Sequence, residues 1–140
     1  MGEATYYFKA EFKSEKEAKE SLPKFKAYLK EHTKAYDEWQ DTRGGKGSQA
    51  NLVRLRERYP LAFKFVSVSR VDEQMNELAG HLLDFREGEI NQQGNTIFIQ
   101  AIVWHFDKWE HLVLFAHSLG AKAGYVSDEH HTPFDSFEVD

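Results

Sequence analysis

The chain has no cysteine in its 140 residues. Disulfides, thiolate nucleophiles and zinc sites built on Cys are therefore excluded, and a reducing, cytoplasmic setting is the expectation. Long apolar runs are missing too. The most apolar stretch, TIFIQAIVWHF at 96–106, is well short of the roughly 18 residues that a membrane span needs. No charged leader precedes an apolar core, and the opening MGEATY puts Tyr6 where a myristoylation signal needs Ser or Thr. Neither secretion nor a membrane association is expected. No G-x-S-x-G nucleophile elbow occurs, and there is no internal repeat or low-complexity tract.

What is present is enough to fold. Hydrophobic residues make up 41% of the chain and aromatics 14%, which is too apolar for a disordered segment and long enough for one core without staples. A single domain over 1–140 is expected, with about 128–140 as a polar C-terminal tail. The net charge of −5 conceals a division. Residues 1–70 carry 15 Lys/Arg against 10 Asp/Glu, and residues 71–140 carry 3 against 13. Seven of the basic residues lie between Arg43 and Arg70, with Glu57 the one acid among them. Such a segment can contact phosphates or an acidic protein. The simpler expectation is a solvated helix face, or one lying near the chain's own acidic second half.

Periodicity supplies the elements. ATYYFKAEFKS alternates, with Tyr6, Phe8, Ala10 and Phe12 on one face and Thr5, Tyr7, Lys9 and Glu11 on the other, a half-buried strand. Ser14 and Glu17 then form a capping box that opens a helix. Its apolar stripe of Ala18, Leu22, Phe25, Leu29, His32, Tyr36 and Trp39 extends to about Gln40. Pro23 should kink this helix or make Ser21 the cap of a fresh start. GGKGS at 44–48 only faintly resembles a phosphate-binding loop, since Gly47 separates Lys46 from Ser48 and a helix, not a strand, precedes it. Leu52, Leu55, Tyr59, Phe63 and Val66 continue at helical spacing, with Pro60 marking a break, although 61–69 also alternates and could be a strand. Residues 76–85 are read as a strand, although Val71, Met75, Leu78 and Leu82 would also suit the end of a helix, REGEINQQGN (86–95) as a turn region, and 96–106 as the next strand. Asp107 and Glu110 pair as a second cap, Gly120 stands where a left-handed C-cap belongs, and the helix between them covers about 108–119. KAGYVS (122–127) is the last strand.

The resulting order, with an extra helical segment between the first helix and the second strand, resembles the ferredoxin-like β-α-β-β-α-β plan. That resemblance is of topology alone. It implies an α+β domain with helices on one face of an antiparallel sheet and the first and third strands at its centre. The run 96–106 then needs cover on both sides. Ile97, Ile99, Ala101 and Val103 are compact aliphatics suited to packing beneath helices, whereas Phe98 and Trp104 flank Gln100, a polar residue awkward in a sealed core. The Phe98 face is therefore expected to be the open one, beside Tyr7, Lys9 and Glu11.

Tyr7, Phe98, Gln100, Ile102 and Trp104 are accordingly the candidate interface or ligand face. An interaction role is the leading expectation, with a homodimer or other protein partner docked on that face and no enzymatic activity assigned. The alternative is a small-molecule site or enzyme with a pocket beside the sheet. A concave pocket with convergent polar groups would favour the second, and a flat apolar patch the first. Nucleic acid is a third reading, through residues 43–70. It is disfavoured by the acidic chain and by QGNTIFIQ, which departs from the base-stacking strand motif of RNA-recognition domains. His105, Asp107 and His111 could form an acid/base pair or part of a metal site. More simply, Asp107 caps its helix, His105 closes its strand and His111 faces water. Asp128, Glu129, His130, His131 and Asp135 could likewise bind a metal, but adjacent residues of an extended tail point opposite ways, so no metal or other cofactor is expected.

Overall fold

The computed structural model describes residues 4–42, 54–65, 85, 88–103, 110–127 and 133–138. Its described elements are β1 (Ala4–Glu11), α1 (Glu15–Thr42), β2 (Gly88–Gln93), β3 (Thr96–Val103), α2 (Glu110–Ser118), β4 (Ala123–Ser127) and β5 (Pro133–Glu138). All five strands join one sheet in the order β2-β3-β1-β4-β5, and every neighbouring pair is antiparallel. This is an α+β architecture. Among the described residues, no helix is long and apolar enough to cross a membrane.

Local chemistry explains where α1 begins. The Ser14 hydroxyl accepts from the Glu17 amide at 3.2 Å, while the Glu17 carboxylate reaches back to accept from the Lys13 amide at 3.1 Å. Two amides that the helix cannot itself satisfy are thereby paired. From there α1 runs through Pro23 without interruption. Ser21 is buried within the helix and does not cap a new one, which corrects the expected restart. Packing on the sheet outweighs the one hydrogen bond that Pro23 cannot donate. Phe25, Tyr28, Leu29, His32, Ala35 and Trp39 are all buried on one side of the helix.

The core lies between both helices and one face of the sheet. Register places Phe8 opposite Ile99 on one side and Val126 on the other, and Ala10 opposite Ile97 and Gly124. These residues are buried. Above them Phe25 of α1 meets Phe8 with centroids 6.1 Å apart and meets Phe115 of α2 edge-on at 5.2 Å. Tyr28 stacks on Phe115 at 4.1 Å, with planes 10° apart. One aromatic row thus ties α1, α2 and the central strands together.

Gly120 ends α2 as its position in the sequence predicts. Its φ is +95°, its amide donates to the His117 carbonyl at 3.0 Å, and the Ala121 amide donates to the Ala116 carbonyl at 3.1 Å. This pair of bonds is the Schellman arrangement, which needs a left-handed residue at that point. A Cβ at Gly120 would meet no atom within 4 Å, so the penalty for a side chain is conformational. Gly120→Ala is expected to destabilise the domain by about 1–2 kcal/mol, read as a lowered urea midpoint with an unchanged slope.

Two expectations are corrected here and a third is met in part. Residues 88–93 form the edge strand β2, not part of a turn region, and Phe85 is outside any strand; residues 76–84, expected as a strand, lie outside the described residues. β2 and β3 are joined by the two-residue turn Gly94–Asn95, with Gly94 at φ +58°. Asn95 ties that turn to the end of β1, its carbonyl accepting from the Phe12 amide and its side-chain amide donating to the Phe12 carbonyl, both at 2.8 Å. Next, residues 133–138 are strand β5 instead of tail, with a proline at the first position, where a strand tolerates one. The described part of the basic segment, with Arg54, Arg56, Arg58 and Lys64 exposed, matches the expected solvated face, and it meets α1 at two acids. Arg58 pairs with Glu38 at 2.6 Å, and Glu31 accepts from the Ala62 amide at 2.6 Å. Residues 54–58 are helical and 61–65 are turns, so the expected extra helical segment is present and the described part of 61–69 is not a strand. Residues 43–53 and 66–70 lie outside the description.

Candidate functional site

Alternation along β1 and β3 puts aliphatics under the helices and sends the remaining side chains to the opposite face of the sheet. Ile97, Ile99 and Ala101 are buried, while Phe98 is half-buried and Gln100 exposed. The open face is therefore the Phe98 face. Register arranges it in rows. Asn91, Phe98, Lys9 and Tyr125 follow one another across β2, β3, β1 and β4, and the next row is Glu89, Gln100, Tyr7 and Ser127.

These two rows, with Gln93, line a concavity of about 560 Å³. That size falls within the range of small-molecule sites. Its composition is amphipathic. Three aromatic rings, Tyr7, Phe98 and Tyr125, are interleaved with the carboxamides of Asn91, Gln93 and Gln100, one carboxylate, Glu89, and one ammonium, Lys9. The Lys9 ammonium stands 4.8 Å from the centre of the Tyr125 ring and 3.6 Å from the Glu11 carboxylate. Ring and carboxylate together hold the cation in place across the centre of the face.

Of the residues singled out in the sequence, Tyr7, Phe98 and Gln100 are brought together here. Ile102 is paired in register with Thr5, while Trp104, His105 and Asp107 lie outside the described residues. Tyr125, Ser127, Glu89, Asn91 and Gln93 were not anticipated. For β2 the one local signal is Gly94–Asn95, a two-residue hairpin turn of a favoured composition; Tyr125 and Ser127 lie on the expected last strand, and only the pairing with β1 brings them to this face.

His111 is not at the surface. It is 3% exposed, on the helix side of the sheet, which corrects the expectation that it faces water and separates it from the open face. The Tyr28 hydroxyl donates to the His111 carbonyl at 3.4 Å, and the Tyr28 ring meets His32 edge-on with centroids 4.5 Å apart. Burial, reinforced by the charge that His111 can carry, lowers the His32 pKa from 6.5 to about 3. Burial likewise pushes the Tyr28 phenol up, aided by Glu31. These neutral rings belong to the packing between α1 and α2. Among the described residues, no group of three or more His, Asp or Glu side chains is placed to hold a metal ion; His130 and His131 are not among them, and of the Asp135 side chain nothing is described.

Searches of family models, curated proteins and solved structures find no match for this chain.

Proposed function

We propose that the protein is a non-catalytic binding domain of ferredoxin-like plan, with β5 added beside β4, and that its open sheet face holds a small organic molecule. The concavity over Tyr7, Lys9, Phe98, Gln100 and Tyr125 carries this reading. It combines apolar ring surface with a few convergent polar groups, which is the ordinary make-up of a ligand site. Rings and carboxamides make up most of its lining, groups suited to recognition more than to bond making, so a binding role is favoured over a catalytic one.

Docking of a second copy on the same face is the other use of such a surface. It is supported less, because the two rows that line the concavity alternate rings with carboxamides, a carboxylate and an ammonium. A face-to-face dimer ordinarily buries a more apolar centre.

The test is a titration of the full chain with a panel of small aromatic and heteroaromatic compounds, followed by backbone amide NMR. Shifts are expected to gather at Tyr7, Lys9, Phe98, Gln100 and Tyr125. Gln100→Trp, which fills the concavity from an exposed position, is expected to weaken the best binder at least about tenfold with little change in stability. Shifts confined to the helix side, or none at all, would overturn the reading. Sedimentation at micromolar concentration addresses the second use: a wild-type dimer that Gln100→Trp dissociates would replace the ligand by a second copy.

A further inference from the structure

Resting on that binding role, the composition of the concavity also selects a ligand class. We infer that it takes an uncharged planar heteroaromatic ring whose edge carries a hydrogen-bond donor beside an acceptor, the chemistry shared by nucleobases, pterins and flavin-type rings.

Charge makes the first selection. Lys9 is the one cation lining the site among the described residues, and Glu89 lines it too. The Lys9 ammonium is already held by Glu11 at 3.6 Å and by the Tyr125 ring. Little positive potential is left for a phosphate or carboxylate, and a chain of net charge −5 opposes the approach of a polyanion. Shape and surface select next. Phe98 and Tyr125 lie on either side of Lys9 in one row, with Tyr7 in the next, so a ring laid on this face finds aromatic surface to stack on whichever way it is turned.

The polar groups then select the ring's edge. Asn91 and Gln100 come from neighbouring strands and adjacent rows, and Gln93 stands two residues further along β2. Each carboxamide offers an N–H donor and a C=O acceptor a fixed distance apart. Such a group pairs in bidentate fashion with an amide or amino-imine edge, and gains nothing of the kind from a hydrocarbon ring or a lone carboxylate.

The experiment measures binding of adenosine, uridine, pterin and lumichrome to the full chain by amide NMR and calorimetry. Naphthalene, benzoate, adenosine monophosphate and a short single-stranded oligonucleotide serve as comparisons. At least one of the four uncharged rings is expected to bind at the open face about tenfold or more tightly than naphthalene or benzoate. The monophosphate should bind no more tightly than adenosine. Gln100→Ala and Phe98→Ala should each weaken the preferred ring about tenfold, in variants whose amide spectra stay folded. Naphthalene binding as well as the heteroaromatics would overturn the inference while leaving the face as a ligand site. Preference for the monophosphate would make it an anion site, and far tighter oligonucleotide binding a nucleic-acid surface. Either result overturns the inference. Failure of every compound to touch the face would remove both this inference and the binding role beneath it.

Discussion

Phe25→Ala is expected to lose about 3–5 kcal/mol of stability, the largest effect of any substitution considered for this domain. The side chain is fully buried and bridges Phe8 of β1 and Phe115 of α2. Removing it takes away ring contacts on both sides at once and leaves a cavity where sheet, α1 and α2 meet. Neighbouring rings cannot collapse into that space without breaking the Tyr28–Phe115 stack. Domains of this size are stable by only about 5–15 kcal/mol, so the variant should unfold at far lower urea concentration. Phe25→Leu, which keeps much of the volume, should lose a smaller part. Equilibrium urea unfolding measures both; a loss below about 1 kcal/mol for the alanine variant would mean that the two helices do not share a core with the sheet.

Acid should destabilise the protein steeply, and His32 should carry much of the effect. In the folded state its pKa is lowered to about 3, against 6.5 when exposed. The unfolded chain therefore takes up a proton as the pH falls below 6.5, while the folded chain resists doing so until about pH 3. Stability from the neutral imidazole is complete above pH 6.5 and is lost progressively down to about 3, with a slope approaching about 1.4 kcal/mol per pH unit for that one proton. Tyr28 on α1 meets the ring edge-on, and the charge that His111 on α2 can carry opposes an imidazolium there. Urea midpoints between pH 7 and 4 measure the slope. His32→Gln should be less stable than wild type at pH 7 yet flatter with pH; a variant as pH-dependent as wild type would assign the acid sensitivity to other groups.

The helices were legible because their signals are local. Ser14 and Glu17 satisfy amides within one turn, and the Gly120 and Ala121 amides satisfy carbonyls just before them, so five or six residues contain the whole hydrogen-bond pattern. Pro23 was misleading for the complementary reason. Its local defect is small beside the burial that Phe25, Tyr28 and Leu29 gain on the sheet, and no local rule weighs one against the other. His111 was misplaced similarly, since its burial depends on where α1 lies across it.

Of the candidate site, Tyr7, Lys9, Phe98 and Gln100 could be read from the sequence, whereas the residues of β2 could not. β1 and β3 are central strands, so their buried faces must be apolar and their alternation declares which side is which. β2 and β5 are edge strands, held by hydrogen bonds to β3 and β4. Their side chains need not be hydrophobic, and GEINQQ and PFDSFE accordingly resemble turn and tail.

By itself the sequence determined the periodicity of the central strands, the start of α1, the end of α2, and which side of β3 meets the helices, because these follow from alternation and from hydrogen bonds closed within a turn. Only the tertiary structure decided that Asn91, Phe98, Lys9 and Tyr125 share one row. That row joins residues more than a hundred positions apart through backbone pairing, which any side chain can accompany and none of them alone specifies.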